Sequence, residues 1–221
     1  YKALERERGP RRVQAVEKIE AEGGFDAITR LARDASVPGA VGIALAKIGS
    51  SHDDELLGWL TSADQDLAST AMSYFSTRYS LEGFALITDF LEQSDLTVDQ
   101  RVRLLLVARD NLAEVWALVD TDPDLEARYW RAFQTIGLGQ DIDKIDEIAE
   151  HLIQVGRHAD VVHLMSMYTH IDKDGPRPQV AKLIVRALDG LLADQTPSAA
   201  ARDLSSYDFQ RLFVYLEAMR E

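Results

Sequence analysis

The feature that most constrains this chain is an internal period. Four short apolar segments, 25–31, 56–60, 84–90 and 113–119, each lead through an acidic turn into a second apolar segment. Aligned on the paired positions Ile28/Leu31, Leu57/Leu60, Ile87/Phe90 and Trp116/Val119, the steps from 28 to 57, 57 to 87 and 87 to 116 are 29, 30 and 29 residues. Apolar residues recur three or four apart and no strand alternation appears, so each period predicts two helices. One such pair cannot bury its apolar face alone and must stack on its neighbours. The fold class expected is therefore all-α, a right-handed α-α superhelix of about twelve to thirteen helices.

Turn and cap residues place the helices. Pro10 suits a first turn, and Gly23–Gly24 suits the end of the helix it opens. Ser36 and Pro38 restart the chain for 40–48, whose Gly39, Ala40, Gly42, Ala44 and Ala46 are small enough for close backbone approach. Asp64 is placed to cap a helix reaching about Tyr79, and Asp122 to cap one opening at Pro123. The third pair is read as 81–92 and 97–108, with the nearly continuous Val102 to Val107 as the most buried helix; the fourth is 111–119 and 122–135, ended by Gly137 and Gly139. Beyond them come a longer amphipathic helix from Ile142 to Ile153, a helix from His158 to Tyr168, and a long loop over 171–178. Helices over 179–193 and from Ser205 to Arg220 follow, joined by a polar connector at 194–203. The chain, 1–221, is thus read as one helical-repeat domain, with regular pairs over 10–137, a further pair over 141–170 and terminal helices over 177–221. Residues 1–8 read as the tail of a helix already under way, so a piece of a larger multidomain protein is expected.

Residues Leu152 to Leu164, with Gly156, Arg157 and Ala159 at the turn, resemble the helix-turn-helix of a tetratricopeptide-type or pentatricopeptide-type unit. The earlier pairs resemble the HEAT and armadillo class. That resemblance implies an α-solenoid, a scaffold on which function is built by surface residues.

Charge and composition narrow the partners. The formal net charge is −13, from 37 acidic and 24 basic residues, so the summed field repels phosphate backbones. Nucleic acid is not expected. The basic residues from Lys2 to Lys18 alternate with Glu5, Glu7 and Glu17, the pattern of a solvated helix with i,i+4 pairs. No apolar run approaches the ~18 residues of a membrane span. With no cysteine there is no disulfide framework, thiolate nucleophile or Cys-ligated zinc, and a cytoplasmic setting is expected.

Candidate chemistry is sparse. His151, His158, His163 and His170 surround the Gly156 turn, but 158 and 163 differ by about 140° around a helix. His163 and His170 lie ~10 Å apart along it, too far to share an ion. His170, Asp172, Asp174 and Gly175 mimic the start of a calcium loop, yet Ala181 stands where the bidentate glutamate belongs; Asp120, Asp122 and Asp124 fail similarly at Leu125. No phosphate loop, nucleophile elbow or zincin motif occurs, so no catalytic residue, cofactor or metal is assigned.

Two features remain as partner-binding candidates. Stacked repeats bring equivalent turns to one edge, which places Asp64, Asp66, Asp95, Asp122 and Asp124, joined by Glu92, Asp99 and Asp120, along an acidic ridge. No basic residue falls between Arg78 and Arg101 or between Arg109 and Arg128, so the ridge is expected to be uncompensated. The second feature is Tyr129–Trp130: neighbouring helical residues diverge by about 100°, so with Tyr129 inward Trp130 points towards a flank, which is either a neighbouring helix or a binding groove. The function expected is a non-catalytic scaffold or protein-interaction module, as a monomeric array. A sensing or regulatory segment of a larger NTP-driven protein is the alternative, and a helical-repeat nucleic-acid enzyme the third reading.

Overall fold

The computed structural model describes residues 2–49, 51–93, 95–135, 144–171, 175–194, 201 and 203–219. Among these the chain is all-helical, with twelve helices packed against one another and no strand. Contacts separate it into two compact units, Tyr1–Tyr129 and Trp130–Glu221. A single array was expected; the division falls inside the helix that closes the fourth pair. The expected helix end at Gly137–Gly139, Ile142, Asp172, Asp174 and most of the 194–203 connector lie outside the described residues.

In the first unit, α1 (Lys2–Asp34) is two helical segments meeting at Gly24, whose φ of 60° and ψ of −158° break the helix where the sequence placed the break. Pro10 lies inside α1 and does not start it. The residues before it, Lys2 to Arg8, are all good helix formers, and they carry the helix through the proline. Then come α2 (Pro38–Ile48), α3 (Asp53–Trp59), α4 (Gln65–Glu82), α5 (Phe84–Gln93), α6 (Val98–Leu105), α7 (Leu112–Val119) and α8 (Pro123–Ala132). Leu81 belongs to the end of α4 and not to the start of the third pair, because Gly83, at φ 80°, makes the turn.

The paired positions face inward as the period requires. Ile28, Leu57, Leu60, Ile87, Trp116 and Val119 are buried, and Leu31 and Phe90 are half-buried. Val102 and Leu104 to Ala108 are buried as a block. Burying one such side chain contributes roughly 1.5–3 kcal/mol, well above an exposed ion pair. The apolar register therefore holds this unit together.

A close backbone approach joins α2 to α4. A Cβ built on Gly42 would lie 2.0 Å from the Thr70 carbonyl oxygen and 2.9 Å from the Tyr74 amide nitrogen, so only glycine permits this backbone separation. Fully buried Thr70 completes the joint by donating to the Pro38 carbonyl at 3.1 Å and to its own helix at Asp66 O, 2.8 Å. Further along α4, the buried Tyr74 hydroxyl donates to Asp53 Oδ1 at 2.6 Å, and Arg78 Nη1 reaches the same oxygen at 2.8 Å. Burial first, and the Asp53 carboxylate second, push the Tyr74 hydroxyl well above its ordinary pKa.

The second unit holds α9 (Ile145–Gln154), α10 (His158–Ile171), α11 (Pro178–Ala193) and α12 (Ser206–Ala218). Between α9 and α10, Gly156 takes φ 76°, and the amides of Gly156 and Arg157 bond the carbonyls of Ile153 (3.0 Å) and Leu152 (2.8 Å). This is the Schellman closure that a left-handed glycine allows. Here α11 packs on α9 and α10, and α12 packs on α10 and α11. The core is Ile148, Leu152, Val162, Met165, Leu183, Ile184 and Leu212 with their neighbours.

Candidate functional site

The acid-rich edge lies wholly in the first unit, and its members divide by what holds them. Asp64 caps α4, accepting from the amides of Asp66 (3.1 Å) and Leu67 (3.5 Å), while Arg33 Nε donates to its Oδ2 at 2.8 Å. The Arg33 bond is the main reason the Asp64 carboxyl sits below its ordinary range. Asp122 caps α8 through the amides of Asp124 (2.9 Å) and Leu125 (3.4 Å). Both caps match the sequence reading. The expectation of an uncompensated ridge does not hold throughout: Arg128 reaches back one turn to Asp124, with Nε 3.1 Å from both oxygens, and across to Asp99 at 2.9 Å. The gap between arginines was a gap in sequence only, since long guanidinium side chains from the helix after one turn and the helix before another close it in space.

Three of these polar ties span about one period. Arg33 meets Asp64 at a separation of 31 residues, the Tyr79 hydroxyl meets Asp110 at 31, and Arg128 meets Asp99 at 29. What is left of the ridge is Asp66, Glu92, Asp95 and Asp120, all exposed and in no ion pair with a described residue.

The aromatic pair is interior. Tyr129 and Trp130 are each 1% exposed. The Trp130 ring stacks on His151 at 4.3 Å and 4°, and meets Phe133 at 5.0 Å. The flank expected of Trp130 is thus filled by a helix, and neither ring offers itself to a partner. Arg157 fixes the same corner: Nη1 donates to the Trp130 carbonyl at 3.0 Å and to that of Phe133, while Nη2 and Nε bind Asp160 at 2.6 and 3.0 Å.

The other histidines of that region point to separate places. His158 fills the space left by Gly190, where a Cβ would come within 2.4 Å of its ring. His163 Nδ1 lies 3.4 Å from Asp208 Oδ1, and His170 lines a surface groove. Among the described residues no group of three His, Cys, Asp or Glu could hold a metal ion.

Ser166, His163 and Asp208 do meet, in an order that suits structure. Ser166 Oγ donates directly to Asp208 Oδ1 at 2.6 Å, so the carboxylate stands between serine and imidazole. A nucleophilic serine needs the imidazole between them. Asp208 also accepts from the Ser205 amide (2.8 Å) and hydroxyl (2.7 Å), closing the capping box of α12. Burial works to raise the Asp208 carboxyl, but these hydrogen bonds and His163 outweigh it and hold it at about 2.

Among the described residues two grooves open on the surface. One, of about 280 Å³ in the first unit, runs between α1 and the start of α2, lined by Val16, Ile19, Leu31, Val37 and Val41. The other, about 430 Å³ in the second unit, lies between the end of α10 and α12. Sequence reasoning missed the latter, though a signal was present. Leu212 to Leu216 are five apolar residues in a row, which a helix cannot turn to one side. Leu212 and Tyr215 are buried, while Phe213 and Val214 are left outside with Tyr207.

Among known proteins, no family model, no curated protein and no solved structure matches this chain.

Proposed function

We propose that this chain is a helical-repeat interaction module, with HEAT- or armadillo-like pairs over its first unit and a tetratricopeptide-like pair at α9–α10, wound as a right-handed superhelix. It acts by holding a protein partner and not by chemistry of its own. The observation that carries this reading is the recurrence of the buried positions every 29 or 30 residues, together with the polar ties Arg33–Asp64, Tyr79–Asp110 and Arg128–Asp99, each of which bridges about one period. Units that repeat their contacts also repeat their outer surface, and that is what an extended binding face requires.

Asp66, Asp95 and Asp120, with Glu92, are the residues that steer a basic partner, because the other acids of the edge are committed to caps or arginines. The test is affinity capture with the full-length protein, followed by stopped-flow association of the captured partner with this chain. The on-rate should fall on the order of tenfold from low to physiological salt. It should fall further in an Asp66→Asn, Asp95→Asn, Asp120→Asn variant whose melting is unchanged. If no captured protein binds this chain, the interaction reading is lost; an on-rate indifferent to salt and to the variant leaves the edge as a solubilising surface.

A further inference from the structure

The second unit carries a surface of the opposite character. The groove between α10 and α12 is lined by Tyr207, Val214, Ala218 and Pro176, with Arg211 and His170 as its basic residues, and none of the described lining residues is acidic. In a chain of net charge −13 that composition is a local reversal. Asp172 and Asp174 follow His170 in the sequence and lie outside the described residues.

We propose that this groove is a docking site for a peptide segment of a protein partner that presents a large apolar side chain next to a carboxylate. Three observations converge on that occupant. The volume, about 430 Å³, is that of a ligand cleft and not a gap between side chains. Its apolar wall is a stripe: Tyr207, Val214 and Ala218 stand at i, i+7 and i+11 on one helix, a reach of about 16 Å. Tyr207 and Val214 are 56% and 60% exposed. A stripe that long outruns a small carboxylic acid and suits a stretch of polypeptide.

The third observation is the state of Arg211. Its guanidinium lies 4.4 Å from the centre of the Tyr207 ring, with Nη2 donating to the Tyr207 hydroxyl and Nη1 3.5 Å from the Ser166 carbonyl. Those contacts occupy two of five N–H donors and hold the plane of the group. The remaining donors are pre-oriented for a carboxylate, the anion whose geometry a guanidinium matches. In the complex the apolar side chain packs on Val214 and Ala218 and the carboxylate meets Arg211. A basic segment is rejected by the same arginine.

This rests on the interaction-module reading only in taking the ligand to be a peptide, and it uses a different unit from the acidic edge. The experiment is selection of a random displayed peptide library on the full chain, with fluorescence anisotropy of the winners. Selected peptides should place Asp or Glu within a turn of Leu, Ile, Phe or Trp. Affinity should fall at least about tenfold in Arg211→Gln and in Val214→Asp, while Asp66→Asn, Asp95→Asn leaves it unchanged. Val214 is 60% exposed and its side chain carries no hydrogen-bonding group, so its variant separates binding from folding. Peptides that are basic or lack an apolar residue, affinities untouched by both variants, or no selection at all overturn the proposal. Capture of an RNA oligonucleotide in place of peptide, abolished by Arg211→Gln, overturns it too. Failure here with a salt-steered partner on the first unit would leave the function proposal standing.

Discussion

The two units solve the same packing problem by different means. The first repeats itself: its inward positions recur every 29 or 30 residues, its backbones come close at Gly42, and its long-range polar ties at the edge are exposed and each bridge about one period. The second has no such rhythm and depends on single polar joints. Arg157 binds two carbonyls and Asp160, and Asp208 binds Ser166 and Ser205 where α12 meets α10. A periodic unit spreads its stability over many equivalent apolar contacts and can leave its charges to partners. A non-periodic one concentrates stability in a few buried polar groups, each expensive to lose.

The sharpest test of that contrast is Gly42→Ala. Its Cβ meets backbone, which cannot swing aside, so α2 and α4 must separate; a loss of about 3 kcal/mol is expected. Thermal unfolding gives the size, and hydrogen exchange should show the loosening in α2 and α4 and not in α10 or α12. Equal loosening in both units would break the comparison.

Next is Asp208→Asn, which strips charge from a carboxylate bound to two hydroxyls and an amide and should cost about 2 kcal/mol at neutral pH. The pH dependence follows from the direction of the shift. An unfolded aspartate titrates near ~3.9 and Asp208 in the folded chain at about 2. Its contribution is therefore full above the unfolded value and is lost as pH falls through the folded one. Wild type and variant should converge in denaturant melts between about pH 4 and pH 2; a constant gap would mean that the carboxylate's charge is not what joins α10 to α12.

Arg157→Met should cost about 1–2 kcal/mol, because it leaves the carbonyls of Trp130 and Phe133 without that donor while keeping most of the aliphatic stem. Trp130 is the second unit's one tryptophan, and in Trp59→Phe, Trp116→Phe background its emission should shift to the red. An unchanged spectrum would show that the ring's seat against His151 does not need the arginine.

The smallest effect belongs to Arg128→Gln. Its pairs with Asp99 and Asp124 are exposed, and such pairs contribute little in water. The melting temperature should not move measurably, whereas the salt dependence of any basic partner's association should steepen. A clear loss of stability would show that the edge ties hold the first unit as much as its apolar register does.

The sequence carried much of this before any coordinates. The register from Ile28 to Val119 was legible because burial must repeat with the period; the caps at Asp64 and Asp122 were legible because a carboxylate before a helix has one local use. The breaks at Gly24 and Gly156 were legible because left-handed backbone selects glycine. What the sequence does not show is of another kind. Pro10 reads as a helix start only by a statistical rule, and whether the flank of Trp130 meets a neighbouring helix or a binding groove is not legible, because its neighbour in space, His151, is 21 positions away in sequence.

The sequence by itself determined, then, that this chain is helical, where most helices begin and end, and which face of each turns inward. Those properties rest on interactions within about four residues, or on a period that any stacked arrangement must respect. Only the tertiary structure decided that Arg128 would neutralise Asp99, that Asp208 would stand between Ser166 and His163, and that Tyr207, Val214 and Arg211 would share a groove with His170. Side chains reach ~6 Å or more in directions set by how helices cross, and residues distant along the chain meet only after that crossing is fixed.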